Sequence, residues 1–252
     1  MNPKLEKNVF FDINKLPPEK GLLLFGLSMN QLDNGSETPK KLLDYVRTFT
    51  DSKISRPLIG LNMIYSDFLY LYSDEPSPVL KEKFMHQIIQ HKNAFQKIIE
   101  KNITEFQVQH GFNYMSWSQL YVGTRDFDLL FRKLKEIYRQ DQLFQKYIKD
   151  DCALYEREMG ENQVHFYLEE ILMFYLLTHN KVKLPNEYIE NQQKWILYCY
   201  PGRPLKSTVY LYQINPFGLE CPENPYARAH YDLESKQLIE FDRVDLNTYS
   251  VK

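Results

Sequence analysis

The chain has 252 residues, 43% of them hydrophobic, with 31 Lys plus Arg against 33 Asp plus Glu and a net charge of −2. That is enough apolar material for one large domain, and residues 1–252 are expected to form one, with 213–252 as an irregular C-terminal extension. The balanced charge excludes a polyanionic partner held by the overall field, so such a partner needs a local basic stripe. Three widely spaced cysteines, Cys152, Cys199 and Cys221, fit neither a disulfide framework nor a zinc site, which suggests a reducing cytoplasm. The polar start from Met1 to Lys7 lacks an apolar h-region, and no apolar run is long enough to span a membrane, so cytoplasmic placement without a membrane is expected.

Leu22 to Leu27 is an apolar run that reads as a parallel strand buried on both faces, with Gly26 leaving room for something to approach the backbone. Ser28 follows where open α/β sheets bind ligands, just outside the carboxyl end of a strand. A polar stretch from Asp33 to Glu37 leads to Thr38 and Pro39, a cap and first-turn pair that predicts a helix over 39–49. Leu58 to Ile64 and Phe68 to Tyr72 predict strand ending near Asp74. A helix then runs from Val79 to about Lys101, with Leu80, Phe84, Ile88, Phe95, Ile98 and Ile99 inward and Lys83, His86, Lys97 and Lys101 outward.

Phe106 to Trp117 is a third strand candidate, and Thr124 is placed to cap a helix whose inward stripe is Phe127, Leu130, Phe131, Leu134 and Ile137. Val164 to Leu177 is apolar nearly all round except for Glu169 and Glu170, which marks a central helix. Adjacent glutamates point about 100° apart, so only one can face a given pocket. Trp195 to Tyr200 and Ser207 to Tyr212 read as late strands around a Pro201 to Pro204 turn, and an irregular tail begins at Asn215 to Pro225. Alternation of strands and helices makes the fold α/β.

Taken singly, the chemical signals are weak. Asn30 stands where a hydrolase elbow needs glycine, which disfavours a lipase-like site. The six histidines form no HExxH or HxH pattern, so no metal is expected. Phosphate-binding glycine loops are absent as well, which argues against a nucleotide-dependent kinase or ATPase.

The order of the pieces resembles the cyclodipeptide synthases, which join two amino acids carried by aminoacyl-tRNAs. The matching pieces are Gly26-Leu27-Ser28, the strand closing at Asp74 before a basic helix, Tyr114-Met115-Ser116-Trp117, the Tyr138 to Phe144 segment, the Tyr-Leu-Glu-Glu helix at Glu170, and Tyr200-Pro201. Together they span most of residues 20 to 212. Pro201 after the tyrosine, with Gln31 three residues past the serine, resembles the subgroup that has proline there and lacks an asparagine after the nucleophile. Two departures stand out: Phe166 where the family usually has tyrosine, and Leu172 where it usually has proline. The amine-binding hydroxyl is then either absent or supplied by Tyr167, and an inserted loop is expected around Asn180 to Glu190.

The resemblance implies a Rossmann-like, mostly parallel sheet flanked by helices, like the catalytic domain of class I tyrosyl- and tryptophanyl-tRNA synthetases, and no cofactor. It implies Ser28 as nucleophile, Glu170 holding the substrate amine and Tyr200 moving a proton, with Leu24, Gly26, Gln31, Phe166, Tyr167 and Pro201 around the substrate. Backbone amides beside Gly26 and Ser28 are candidate oxyanion donors. Lys83, Lys97 and Lys101 would meet tRNA, the partners being two aminoacyl-tRNAs, with no DNA and a monomeric protein. Two other readings stay open: a serine hydrolase or acyltransferase using Ser28 with His165 or His179 and no tRNA, and a non-enzymatic tRNA-binding module.

Overall fold

A computed structural model describes residues 21–50, 59–70, 77–102, 112–182 and 195–251. Six strands form one sheet in the order β3-β2-β1-β4-β5-β6, with β1 at Gly21–Leu27, β2 at Ile59–Tyr65, β3 at Phe112–Ser116, β4 at Trp195–Tyr200, β5 at Ala229–Asp232 and β6 at Gln237–Glu240. The first five strands run parallel and β6 pairs antiparallel with β5. This is the doubly wound order of a Rossmann-like fold, in which the chain reverses its direction of travel across the sheet between β1 and β4. Every residue of β1 is buried, as its uninterrupted apolar run requires.

The helices are α1 (Pro39–Thr50), α2 (Asp67–Tyr70), α3 (Pro78–Lys101), α4 (Trp117–Gly123), α5 (Phe127–Gln140), α6 (Gln142–Leu154), α7 (Glu161–Thr178) and α8 (Lys206–Ile214). α1 packs on α3, while α5 and α8 flank α6 and α7. Helix α7 is buried continuously from Phe166 to Glu169 and from Ile171 to Thr178, in keeping with its nearly all-round apolar sequence. In α3 the expected faces are present: Phe84, Phe95 and Ile99 are buried, whereas Lys83, His86, Lys97 and Lys101 are exposed.

Several local expectations are corrected. Strand β2 stops at Tyr65, and Asp67 begins a helical turn, its Oδ1 accepting the Trp117 N–H at 2.9 Å; Asp74 lies outside the described residues. The third strand ends at Ser116, and Trp117 opens α4 through a capping box of Ser116 and Gln119. The Phe106 to Gly111 part of that strand prediction is outside the described residues, as is most of the predicted loop at Asn180 to Glu190. Thr124 terminates α4 rather than starting α5, because its hydroxyl donates to the Leu120 carbonyl at 2.7 Å.

Ser207 to Tyr212 is helix, not strand. The cause is remote in sequence: buried Asp151 on α6 accepts the Lys206 and Ser207 N–H groups at 3.2 and 3.0 Å, supplying the N-terminal cap from another helix. Asp151→Ala should therefore lower unfolding free energy by about 1–3 kcal/mol through two orphaned amides. Denaturant unfolding measures this, and a change of a few tenths would show that α8 is held by packing alone. The tail is also more regular than predicted, because β5 and β6 extend the sheet and the Leu233 amide donates to the Tyr200 carbonyl at 3.1 Å.

Candidate active site

A cavity of about 330 Å³ opens at the carboxyl ends of β1 and β4, the place where this strand order leaves a crevice. Its wall contains Ser28 just after β1, Tyr200 at the end of β4 and Glu170 from the middle of α7. Gly26, Gln31, Phe166 and Tyr167 line it too. Leu24 and Pro201 do not: Leu24 is fully buried within the sheet, and Pro201 is buried behind the β4 end. Lys83, Lys97 and Lys101 stand on the exposed face of α3, away from the cavity lining.

Gly26 is required by a neighbour in the sheet. A Cβ there would lie 2.5 Å from the Tyr198 hydroxyl, so the space left by the glycine is filled by a phenol from β4. Tyr198 packs its ring on Phe174 at 4.1 Å between centroids, and its hydroxyl is held well above the usual tyrosine range by burial and by Glu170 and Glu37.

The two adjacent glutamates of α7 diverge as their spacing demands. Glu169 accepts the Trp117 indole N–H at 2.8 Å and pairs with His165 at 3.3 Å, which makes it a structural carboxylate joining α7 to α4. Glu170 faces the cavity. Burial raises its pKa from 4.5 to about 7, the Arg157 guanidinium opposing that rise and Asp151 adding to it. Arg157 also lines the cavity and lies 4.9 Å from the Phe166 ring centroid and 5.8 Å from that of Tyr167, a cation held over aromatic faces. The Tyr167 hydroxyl donates to the Asp151 carbonyl at 3.4 Å.

Glu37 was missed by the sequence reading. It is 0% exposed and its Oε2 accepts the Ser28 N–H in a short hydrogen bond; the Tyr200 hydroxyl also hydrogen-bonds to this carboxyl group. Burial pushes its pKa well above the usual carboxylate range, the Ser28 and Tyr200 contacts oppose the rise, and the Glu170 charge reinforces it. Of the backbone amides around Gly26 and Ser28 considered as oxyanion donors, that of Ser28 is already taken. Gln31 supports the same loop: its Oε1 accepts the Ser36 N–H at 3.2 Å.

Neither histidine of the hydrolase alternative lines the cavity. His165 is paired with Glu169, and His179 lies at the C-terminal end of α7 with its Nδ1 on the Tyr175 carbonyl at 2.6 Å. His230 does line it, but its Nε2 is committed to the Gly202 carbonyl at 2.9 Å and burial lowers its pKa to about 4. Among the described residues no cluster of His, Cys, Asp or Glu could hold a metal ion, and no helix is long and apolar enough to cross a membrane.

No protein-family model matches the chain and no curated protein matches it. Its fold is similar to that of solved cyclodipeptide synthases. The one from Staphylococcus haemolyticus is 14% identical, with a TM-score of 0.51 over 84% of this chain and 89% of that one. A cyclodipeptide synthase from Bacillus thermoamylovorans is 15% identical over 81% and 86% of the two chains, with a TM-score of 0.49. A Mycobacterium tuberculosis protein, described as demonstrating that cyclodipeptide synthetases are related to type I tRNA synthetases, is 13% identical over 75% and 78%, also with a TM-score of 0.49. The fold likeness rests on the first of these.

Proposed function

We propose that this protein is a tRNA-dependent cyclodipeptide synthase. The observation that carries the reading is the convergence of Ser28, Glu170 and Tyr200, three residues far apart in sequence, on one cavity at the sheet reversal. An aminoacyl ester is already activated, so the site needs a nucleophile, a seat for an ammonium group and a way to move protons, and it needs no nucleotide.

Ser28 Oγ attacks the ester carbonyl of a first aminoacyl-tRNA; the carbon gains the serine oxygen, loses the tRNA 3′ oxygen, and the serine proton leaves with the tRNA hydroxyl. The amine of the aminoacyl-Ser28 ester then attacks the carbonyl of a second aminoacyl-tRNA, releasing tRNA and leaving a dipeptidyl ester. Its free amine closes on the serine ester, regenerating the hydroxyl and releasing a 2,5-diketopiperazine. Ionised Glu170 holds the ammonium and accepts its proton, a charge-assisted contact of about 1.5–3 kcal/mol. Tyr200 relays a proton during transfer and ring closure.

The test is incubation with aminoacylated tRNA and mass spectrometry of the products, with simple esters as the competing substrate. A cyclic dipeptide that requires charged tRNA supports the reading; turnover of simple esters without tRNA supports a hydrolase.

Lys83, Lys97 and Lys101 supply the basic stripe that the balanced overall charge requires. Replacing all three with glutamate should raise the KM for aminoacyl-tRNA and flatten the salt dependence of binding, each lost phosphate contact removing about 0.7–0.9 from the log–log slope. An unchanged KM and slope would make α3 a plain solvated face.

A further inference from the structure

Glu37 has no part in the reaction as written above, yet it stands between two of its groups. Its Oε2 takes the Ser28 N–H, the Tyr200 hydroxyl hydrogen-bonds to the carboxyl, and Oε1 has no hydrogen-bond partner among the described residues. The main chain is fixed from the opposite side, where the Glu37 carbonyl lies 2.8 Å from His91 Nε2 and His91 Nδ1 lies 2.9 Å from the Tyr65 hydroxyl. With the carbonyl as acceptor, Nε2 is the donor and Nδ1 accepts the Tyr65 proton.

Among the described residues, this carboxyl hydrogen-bonds to Ser28 and Tyr200 and interacts electrostatically with Tyr45 on α1, Tyr198 on β4 and Glu170 on α7, all neutral or acidic. Among the described residues an ionised Glu37 would have no cation beside it and one bare oxygen. It would also set a negative charge on the nucleophile's own amide, opposing the oxyanion that forms when Ser28 attacks an ester. A neutral carboxyl removes that charge, and its bare oxygen costs less to bury than a carboxylate's.

We propose that Glu37 is a positioning residue of the acyl-transfer site: an uncharged carboxyl whose Oε2 holds the Ser28 N–H and which hydrogen-bonds to the Tyr200 hydroxyl, so that the nucleophile's backbone and the phenol are fixed against one another. The inference rests on the acyl-enzyme reading of Ser28.

Single-turnover acylation from excess aminoacyl-tRNA, followed by intact-protein mass, tests it. Glu37→Gln keeps an acceptor and a donor in the same places and should acylate close to the wild-type rate. Glu37→Ala should lose about a hundredfold in the maximal rate, with the half-saturating tRNA concentration unchanged. A Glu37→Gln variant as slow as Glu37→Ala, or a Glu37→Ala variant as fast as wild type, overturns the role. Should Glu37→Ala not fold, the ¹³C resonance of the Glu37 carboxyl in the wild-type protein decides: a protonated signal at neutral pH supports the proposal and a carboxylate signal overturns it. Absence of acylation in the wild type would instead remove the function on which this role depends.

Discussion

Glu170→Gln should reduce cyclic dipeptide formation by more than about a hundredfold while leaving the protein more stable than wild type above neutral pH. Both effects have one cause. Burial raises the pKa of Glu170 from 4.5 to about 7, so the folded protein binds this proton more tightly than the unfolded chain does. The stability that comes from the protonated form is fully present below about pH 4.5, is lost as the pH rises, and has gone above about pH 7. Glutamine does not titrate, so the variant's stability relative to wild type should climb between these pH values and then level off. Activity runs the other way, because only the carboxylate can hold the ammonium and accept its proton. The wild-type rate should rise with pH around 7. Thermal unfolding and product assays at pH 5 and 8 measure both; equal stability differences at the two pH values, or retained product in the variant, would place Glu170 outside the chemistry.

Ser28→Ala should abolish product, a loss of more than about a thousandfold, because no other group described at the cavity carries a comparable nucleophile on the end of β1. Aminoacyl-tRNA should still bind with wild-type affinity, and the melting temperature should stay near wild type, since the serine side chain makes up little of the core. This separates an enzyme from a binding module, for which the substitution would change nothing. Retained product would transfer the nucleophile's role elsewhere.

The first strand and the central helix were readable because their signals are local, whereas Ser28, Glu170 and Tyr200 were singled out together only by the order of pieces that resembles the cyclodipeptide synthases. The apolar run before Ser28 reads as a strand covered on both faces, and the apolar helix around Glu169 and Glu170 leaves two carboxylates that need partners. Their 100° separation already meant that only one could face a given pocket; the structure identifies Trp117 and His165 as the partners of Glu169. Where remote contacts decide, sequence reading failed. Ser207 to Tyr212 alternates like a strand, but Asp151 caps it as a helix from 55 residues away in sequence. Glu37 ends a polar stretch that looks like a solvated turn, and nothing in its neighbours announces that the Ser28 amide and Tyr200 enclose it. Arg157 carried no signal at all, because its place over Phe166 and Tyr167 arises from the turn between α6 and α7.

The most direct measurement is the mass of the intact protein after brief exposure to aminoacyl-tRNA, followed by peptide mapping. A gain of one aminoacyl residue, located on the peptide containing Ser28 and absent from Ser28→Ala, is the predicted result. Product formed with no covalent adduct at any time, or an adduct on another residue, would contradict it.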